Sequence, residues 1–166
     1  MVVGSAADRS DLWPVLQASH PDVLVLGQPE RSHATELCRQ VRSQHAACRV
    51  VLYSSAPIAL PAVLAGAHAL VDKAEDLATL VDAVWIVASG GRMLPALTPE
   101  SKREAAKRLT PVDRAILAML LAGTSSSDAA AVTGLSRREL EGRRAAILAT
   151  LAGRRVALDG ETPVAA

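Results

Sequence analysis

Apolar and polar positions along the chain fall into two regimes. In the first ninety or so residues, short apolar runs alternate with segments of helical period. Beyond residue 108 only the helical period remains. Val2-Val3-Gly4-Ser5-Ala6 is a short apolar start that predicts a strand. Asp11 to Ser19, with Leu12, Val15 and Leu16 at helical spacing, predicts a helix capped by Ser10 or Asp11 and broken by Pro21. Asp22-Val23-Leu24-Val25-Leu26-Gly27 lacks polar alternation, as expected of a parallel strand buried on both faces. Residues 32–45 read as a helix with Leu37 and Val41 inward, and Arg49 to Tyr53 as a second buried strand. A short apolar helix, Leu60 to Ala65, stops at Gly66, and Ala67 to Val71 form a third buried strand. Asp76 to Ala88 predict an amphipathic helix with Leu77, Leu80, Val81, Val84 and Val87 on one face, ended by Ser89-Gly90-Gly91. Strands alternating with helices at this spacing predict a parallel α/β sheet.

Two prolines and a charged, Ala-rich stretch, Glu100 to Arg108, then read as a linker that becomes a helix. Thr110-Pro111 starts a helix with Ile116, Leu117, Leu120 and Leu121 inward and Gly123 at its end. A short helix over 128–133 and the turn Gly134-Leu135-Ser136 follow. Ser136 caps a last helix, roughly 137–151, whose apolar positions are Leu140, Ile147, Leu148 and Leu151. The reading divides the chain into a domain over 1–93, a linker or helix over 94–108, a helical domain over 109–153 and a tail over 154–166.

Charge sharpens that division. Residues 1–100 are net −3, residues 101–155 net +6 and the last eleven net −2, in a chain whose total is +1. A weakly acidic part followed by a basic one suggests two modules with different partners. Aromatics make up 2% of the chain, too few for a stacking platform on single-stranded nucleic acid. Cys38 and Cys48 give no disulfide framework and suit a reducing compartment. No apolar run approaches the roughly 18 residues of a membrane span, and no signal peptide is visible, so a soluble cytoplasmic protein is expected.

Leu109-Thr110-Pro111, Arg114, Ile116-Leu117, Gly123, Ser125, Ala130, Gly134-Leu135-Ser136, Arg138, Leu140 and Ile147-Leu148 together resemble the helix-turn-helix domain of NarL/LuxR-type regulators. The match runs without a gap from 109 to about 152. The first hundred residues resemble, more loosely, a response-regulator receiver domain. His20 to Leu26 is similar to its third strand, Ala65-Gly66-Ala67 and Lys73 to the entry and the Lys-bearing end of its fifth, and Ala88 to Gly91 to the end of its last helix. The implied fold is a receiver-like, flavodoxin-like parallel sheet, shortened at its N-terminus, followed by an all-α helix-turn-helix domain.

Departures from the family pattern shape the functional reading. The receiver phosphoacceptor is an Asp at the end of the third strand, where this chain has Gly27. Gly offers neither a nucleophile nor a metal ligand. The family's paired acidic residues follow a first strand that this sequence does not show. The hydroxyl switch position falls near Tyr53-Ser54, followed by a loop about two residues short, and Lys73 remains as a surface charge or helix cap. The resemblance thus implies a degenerate receiver, active without phosphorylation. The alternative is a truncated form of a phosphorylatable protein, against which Gly27 stands. An absent central strand would expose ladder groups and apolar surface. Either Val2–Ala6 moves beside the 22–26 strand, giving four strands, or a partner chain covers the gap. Both leave apolar surface that favours a dimer.

In a helix-turn-helix, the second helix of the pair enters the major groove, where N-terminal side chains reach base edges and flanking cations hold phosphates. By resemblance that helix begins at Arg137. Arg137, Arg138 and Arg143 are the expected readers, with Ser136 offering its hydroxyl and amide to a phosphate. Glu141 falls where the family often has a basic or polar base reader, so it either accepts from a cytosine amino group or repels the backbone. Gly142 lies in the same surface and permits close approach, at about 1 kcal/mol of helix stability. Arg144 falls where the family has an inward aliphatic residue and is expected to snorkel towards phosphate. Lys102, Arg103, Lys107 and Arg108 read as a solvated helix before the domain.

Competing chemistry finds little support. His33, Cys38, His45 and Cys48 lie close in sequence but lack a tight ligand pair, and Cys38 falls on the inner face of its helix. No phosphate loop and no nucleophile–base pair is present, so neither an enzyme nor a cofactor is expected. The resulting expectation is a cytoplasmic transcriptional regulator that binds double-stranded DNA as a homodimer. A small ligand or regulatory protein would act on its receiver-like part. The alternative is an interaction protein that heterodimerises with another regulator and does not bind DNA.

Overall fold

Three apolar runs form one parallel sheet in the computed structural model, which describes residues 1–27 and 31–151. The strands are β1 (Val23–Leu26), β2 (Arg49–Ser54) and β3 (Ala69–Asp72), in the order β1-β2-β3. Val23 pairs with Arg49 and Val51 with Ala69, so β2 is central. The intervening helices are α1 (Arg9–Ser19), α2 (Arg31–Gln44), α3 (Ala59–Ala65) and α4 (Leu77–Ala88). α5 (Pro99–Lys107), α6 (Pro111–Leu121), α7 (Ser126–Thr133) and α8 (Arg137–Leu151) follow. The chain divides into two compact units, Met1–Ala96 and Leu97 onward.

In the first unit, β2 is buried on both faces. Val51 joins Ala69 and Val71 of β3 and Ala83 and Val87 of α4 in one cluster. Successive strand residues face opposite ways, so Val50 and Leu52 turn to the other face, where α2 packs through Leu37, Cys38 and Val41. Gly66 ends α3 with φ +82°, a conformation that costs glycine little, and its N–H bonds Val63 O.

Four expectations are corrected. Val2–Ala6 form no strand and lie exposed. Asp8, not Ser10 or Asp11, caps the next helix, its Oδ1 accepting from Ser10 N at 2.8 Å and Asp11 N at 3.1 Å. The helix therefore starts at Arg9, and the two valines before the cap, followed by Gly-Ser-Ala, have little apolar area to bury in a ladder. The sheet accordingly has three strands, not four. β1 is not buried on both faces: it is the edge strand, and Val25 is 40% exposed. On α4, Val87 is buried and Leu80 and Val84 partly so, but Leu77 and Val81 point outward at 66% and 53% exposure. That helix is apolar nearly all round, and one sheet face covers only one side of it.

Removing the centre of this packing should be costly. Leu52→Ala empties a fully buried position on β2. A loss of about 2–5 kcal/mol is expected in urea denaturation, and a loss below about 1 kcal/mol would contradict a two-faced core.

Candidate nucleic-acid interface

The second unit is organised by helix caps. Thr110 Oγ1 caps α6, accepting from Asp113 N at 3.2 Å and donating to Asp113 Oδ2 at 2.6 Å. Ser125 caps α7 in the same way, accepting from Asp128 N at 3.1 Å and donating to Asp128 Oδ2 at 2.6 Å. Gly134 ends α7 with φ +70°. At the start of α8, Glu139 N donates to Ser136 Oγ at 3.2 Å, while Ser136 N donates to Glu139 Oε2 at 2.8 Å. This reciprocal pair is a capping box. The hydrogen bonds from Ser136 lower the Glu139 pKa. Thr98 caps α5.

α8 packs against α6 and α7 through Leu140, Ile147 and Leu148, all buried, with Ile116 and Leu117 of α6 and Ala129 and Ala130 of α7 also inside. The capping box and this buried stripe fix which way every other residue of α8 faces. Arg137 and Arg138 stand exposed in its first turn and make no hydrogen bond or ion pair with a described residue. Gly142 follows Arg138 by one turn, and a Cβ there would meet nothing within 4 Å. Ser136 is exposed at the cap.

The other candidates are engaged by partners within the helical unit. Arg143 Nη1 lies 2.9 Å from Asp113 Oδ1, so the carboxylate that receives the α6 cap also anchors the middle of α8. Glu141 Oε1 accepts from Ser126 Oγ at 3.0 Å and lies 3.7 Å from Arg144 Nη1. Glu141, Arg143 and Arg144 are thus gathered at the junction of α8 with α6 and α7, apart from Arg137 and Arg138. Arg108 donates to the carbonyls of Thr150 and Leu151, holding the last turn of α8. Arg103 pairs with Glu100, and Lys107 with Glu104, along an exposed face of α5. Sequence reasoning missed Asp113 and Ser126, and it read Arg108 as part of a solvated helix, whereas the side chain binds the last carbonyls of α8. The Thr-Pro-x-Asp spacing marks Asp113 as a cap partner, but nothing local reveals its bond to Arg143.

In the first unit, Gly27 follows β1 and Lys73 follows β3, at the same end of the sheet. Lys73 Nζ donates to Gly27 O at 3.1 Å and lies 5.6 Å from the Tyr53 ring centroid. Ser54 is buried, and its Oγ accepts from Ala56 N at 3.1 Å. Among the described residues, Cys38, His45 and Cys48 do not assemble. Cys38 Sγ points to Ala65 O, Cys48 Sγ to Arg49 O, and His45 stacks on Trp13 with centroids 6.3 Å apart. The His33 side chain and the 154–166 tail lie outside the described residues. Among the described residues no group of three His, Cys, Asp or Glu could hold a metal ion, and no helix is long and apolar enough to cross a membrane.

The chain is 30% identical over 146 residues to the probable transcriptional regulatory protein SgaR of Hyphomicrobium methylovorum, covering 84% of this chain and 69% of that one. The chain belongs to this family of transcriptional regulatory proteins. No protein-family model matches it. Among solved structures it is similar to the response regulator RcsB of Salmonella typhimurium, at 16% identity over 90% of this chain and 77% of that one, with a TM-score of 0.45. An RcsB–DNA complex gives the same values, and ChrA, a response regulator of a heme-sensing two-component system, is 23% identical over 79% and 75% with a TM-score of 0.37.

The division of charges on α8 is measurable. A double-mutant cycle of Asp113→Ala with Arg143→Ala should give a coupling of about 0.5–1 kcal/mol, because Asp113 is only 16% exposed. Glu100 and Arg103, 75% and 71% exposed, should give at most about 0.3 kcal/mol. Equal couplings would mean that Arg143 is as solvated as a surface cation.

Proposed function

We propose that this protein is a transcriptional regulator that binds double-stranded DNA as a dimer through α6–α8, without phosphorylation. A NarL/LuxR-type helix-turn-helix over about 109–153 would do the binding, after a degenerate receiver-like part over the first ninety or so residues of the sequence. One observation carries the reading. The first turn of α8 presents two arginines with no partner among the described residues, on a helix held rigidly by its cap, its buried stripe and the Asp113–Arg143 bond. Donors with free N–H groups on a pre-positioned helix are what base edges and phosphates require. Arg137 and Arg138 then read or clamp, and Gly142 lets the backbone come close. Ser136, expected to offer its amide to a phosphate, instead donates that amide to Glu139 and acts as the cap. Glu141, Arg143 and Arg144 hold the reading helix in place rather than touching bases. The family's regulatory role supports the same assignment.

Phosphorylation independence is supported at the other end of the chain. Gly27 supplies no carboxylate, and the Lys73 ammonium already meets the Gly27 carbonyl and the Tyr53 ring. A carbonyl therefore occupies the cation that a phosphoryl group would need.

Dimerisation is supported by surface. Leu77, Val81 and Trp85 recur every four residues along α4 at 66%, 53% and 70% exposure, forming one apolar stripe. A second copy presenting the same stripe about a two-fold axis would cover it. The two reading helices would then meet a pseudo-palindromic site.

Two outcomes are expected. In fluorescence anisotropy with selected genomic fragments at moderate salt and without a phosphodonor, Arg138→Ala should weaken binding by tenfold or more, from about 1–3 kcal/mol per good bidentate contact. Affinity unchanged in that variant would displace the recognition surface from α8. In sedimentation velocity, Val81→Asp should shift the protein to monomer while the far-ultraviolet spectrum stays unchanged. A wild type that sediments as a monomer at micromolar concentration would remove the dimer.

A further inference from the structure

The opposite end of the sheet, where β2 and β3 begin, carries a cluster of cations that the regulatory reading does not use. Three consecutive residues build it. Gly66 has the Arg42 stem across it: a Cβ there would lie 3.5 Å from Arg42 Cγ. The Ala67 carbonyl accepts from Arg92 Nη2 at 3.1 Å. His68 follows, half-buried, with its Nδ1 accepting from Val50 N at 3.1 Å. That bond fixes the tautomer: Nε2 carries the proton and is a donor. Arg49, on the α4 side of β2, reaches Val87 O at 2.9 Å. Arg42 also donates to the carbonyls of Ala46 and Cys48.

None of the three arginines forms an ion pair with a described carboxylate. Asp22 lies at this end, near Cys48, and does not pair with them. The main-chain carbonyls engage one nitrogen of each guanidinium, which has five N–H donors. Burial, and then the charges of Arg42, Arg92 and Arg49, lower the His68 imidazole pKa to about 4. Like charges held together without an ion-paired carboxylate among the described residues favour an anion.

We propose that this end of the sheet binds a small phosphate-bearing molecule, held by Arg42, Arg92 and the Nε2–H of His68, with Arg49 adding its charge. The phosphate oxygens accept from two forked guanidiniums and the imidazole, a match that carboxylate-poor surroundings leave uncontested. The site lies at the strand starts, away from Gly27 and Lys73, and does not depend on the DNA-binding reading.

The test follows the His68 ring by NMR in the intact protein while inorganic phosphate is added, with sodium chloride matching ionic strength. A saturable shift is expected, with the His68 midpoint rising from about 4 as the anion offsets the arginine field. Arg92→Gln and Arg42→Gln should each weaken phosphate binding about fivefold or more. Because Arg92 is exposed, its variant should retain the wild-type melting temperature in chloride. Tighter binding of glycerol phosphate than of inorganic phosphate assigns the ligand as a phosphate ester. Equal binding assigns free phosphate, and both support the site. Shifts reproduced by chloride alone, phosphate binding untouched in both Gln variants, or an identical His68 shift on adding duplex DNA would each overturn the small-anion site.

Discussion

Burial of β2 on both faces is the constraint that the first unit answers. A strand reading Arg-Val-Val-Leu-Tyr-Ser has no solvated face to offer, so its neighbours must come from both sides and both edges. Strand alternation then sorts the partners: Val51 calls for α4, and Val50 and Leu52 for α2. The parallel connections that bring these helices back leave strand starts at one end and strand ends at the other. Each end collects a different chemistry. Among the described residues, the C-terminal end carries Lys73, bonded to the Gly27 carbonyl. The N-terminal end has three guanidiniums that meet only main-chain carbonyls among the described residues.

In the second unit the ordering principle is polar rather than apolar. Its helices are short and its core is small, so caps contribute a larger share of what holds it. The link from Thr110 to Asp113 to Arg143 joins the start of one helix to the middle of another. Ser126, Glu141 and Arg144 make a second tie between α7 and α8. Four arginines lie on α8, and two of them are used internally. The proposed DNA surface is therefore narrower than the count of basic residues implies.

Much of this was legible in the sequence. Apolar runs placed β1, β2 and β3, and the three sharp helix signals at Thr110-Pro111, Gly134 and Ser136 placed the last helices to within a residue or two. These signals are local: an apolar run or a cap needs no knowledge of distant residues. What failed depends on neighbours. Val25 has the same composition as a core strand residue, and only its place on the sheet edge exposes it. Leu77 and Val81 belong to a helix apolar on every side, so periodicity cannot say which side the sheet will cover. Arg143 and Arg138 differ by five positions on one helix. Only the tertiary position of Asp113, thirty residues away, makes one a brace and leaves the other outward.

The same reasoning bears on how a regulator of this shape would receive a signal. An open parallel α/β sheet conventionally puts its ligand chemistry where the strands end. Here that end is closed by a lysine–carbonyl bond and a glycine, so charge introduced there finds its cation already engaged. At the strand starts, by contrast, donors outnumber the carbonyls they meet, and burial together with the surrounding positive charge lowers the imidazole pKa to about 4. An anion arriving at that end would change the field across β2 and β3 and on the last turn of α4, whose Val87 carbonyl already takes the Arg49 guanidinium. α4 is also the helix that carries the exposed Leu77, Val81 and Trp85 stripe. In the proposed reading, the element next to the anion site is the one on which dimerisation depends. A ligand at the strand starts would thus act on assembly through a single helix, with no phosphoryl transfer.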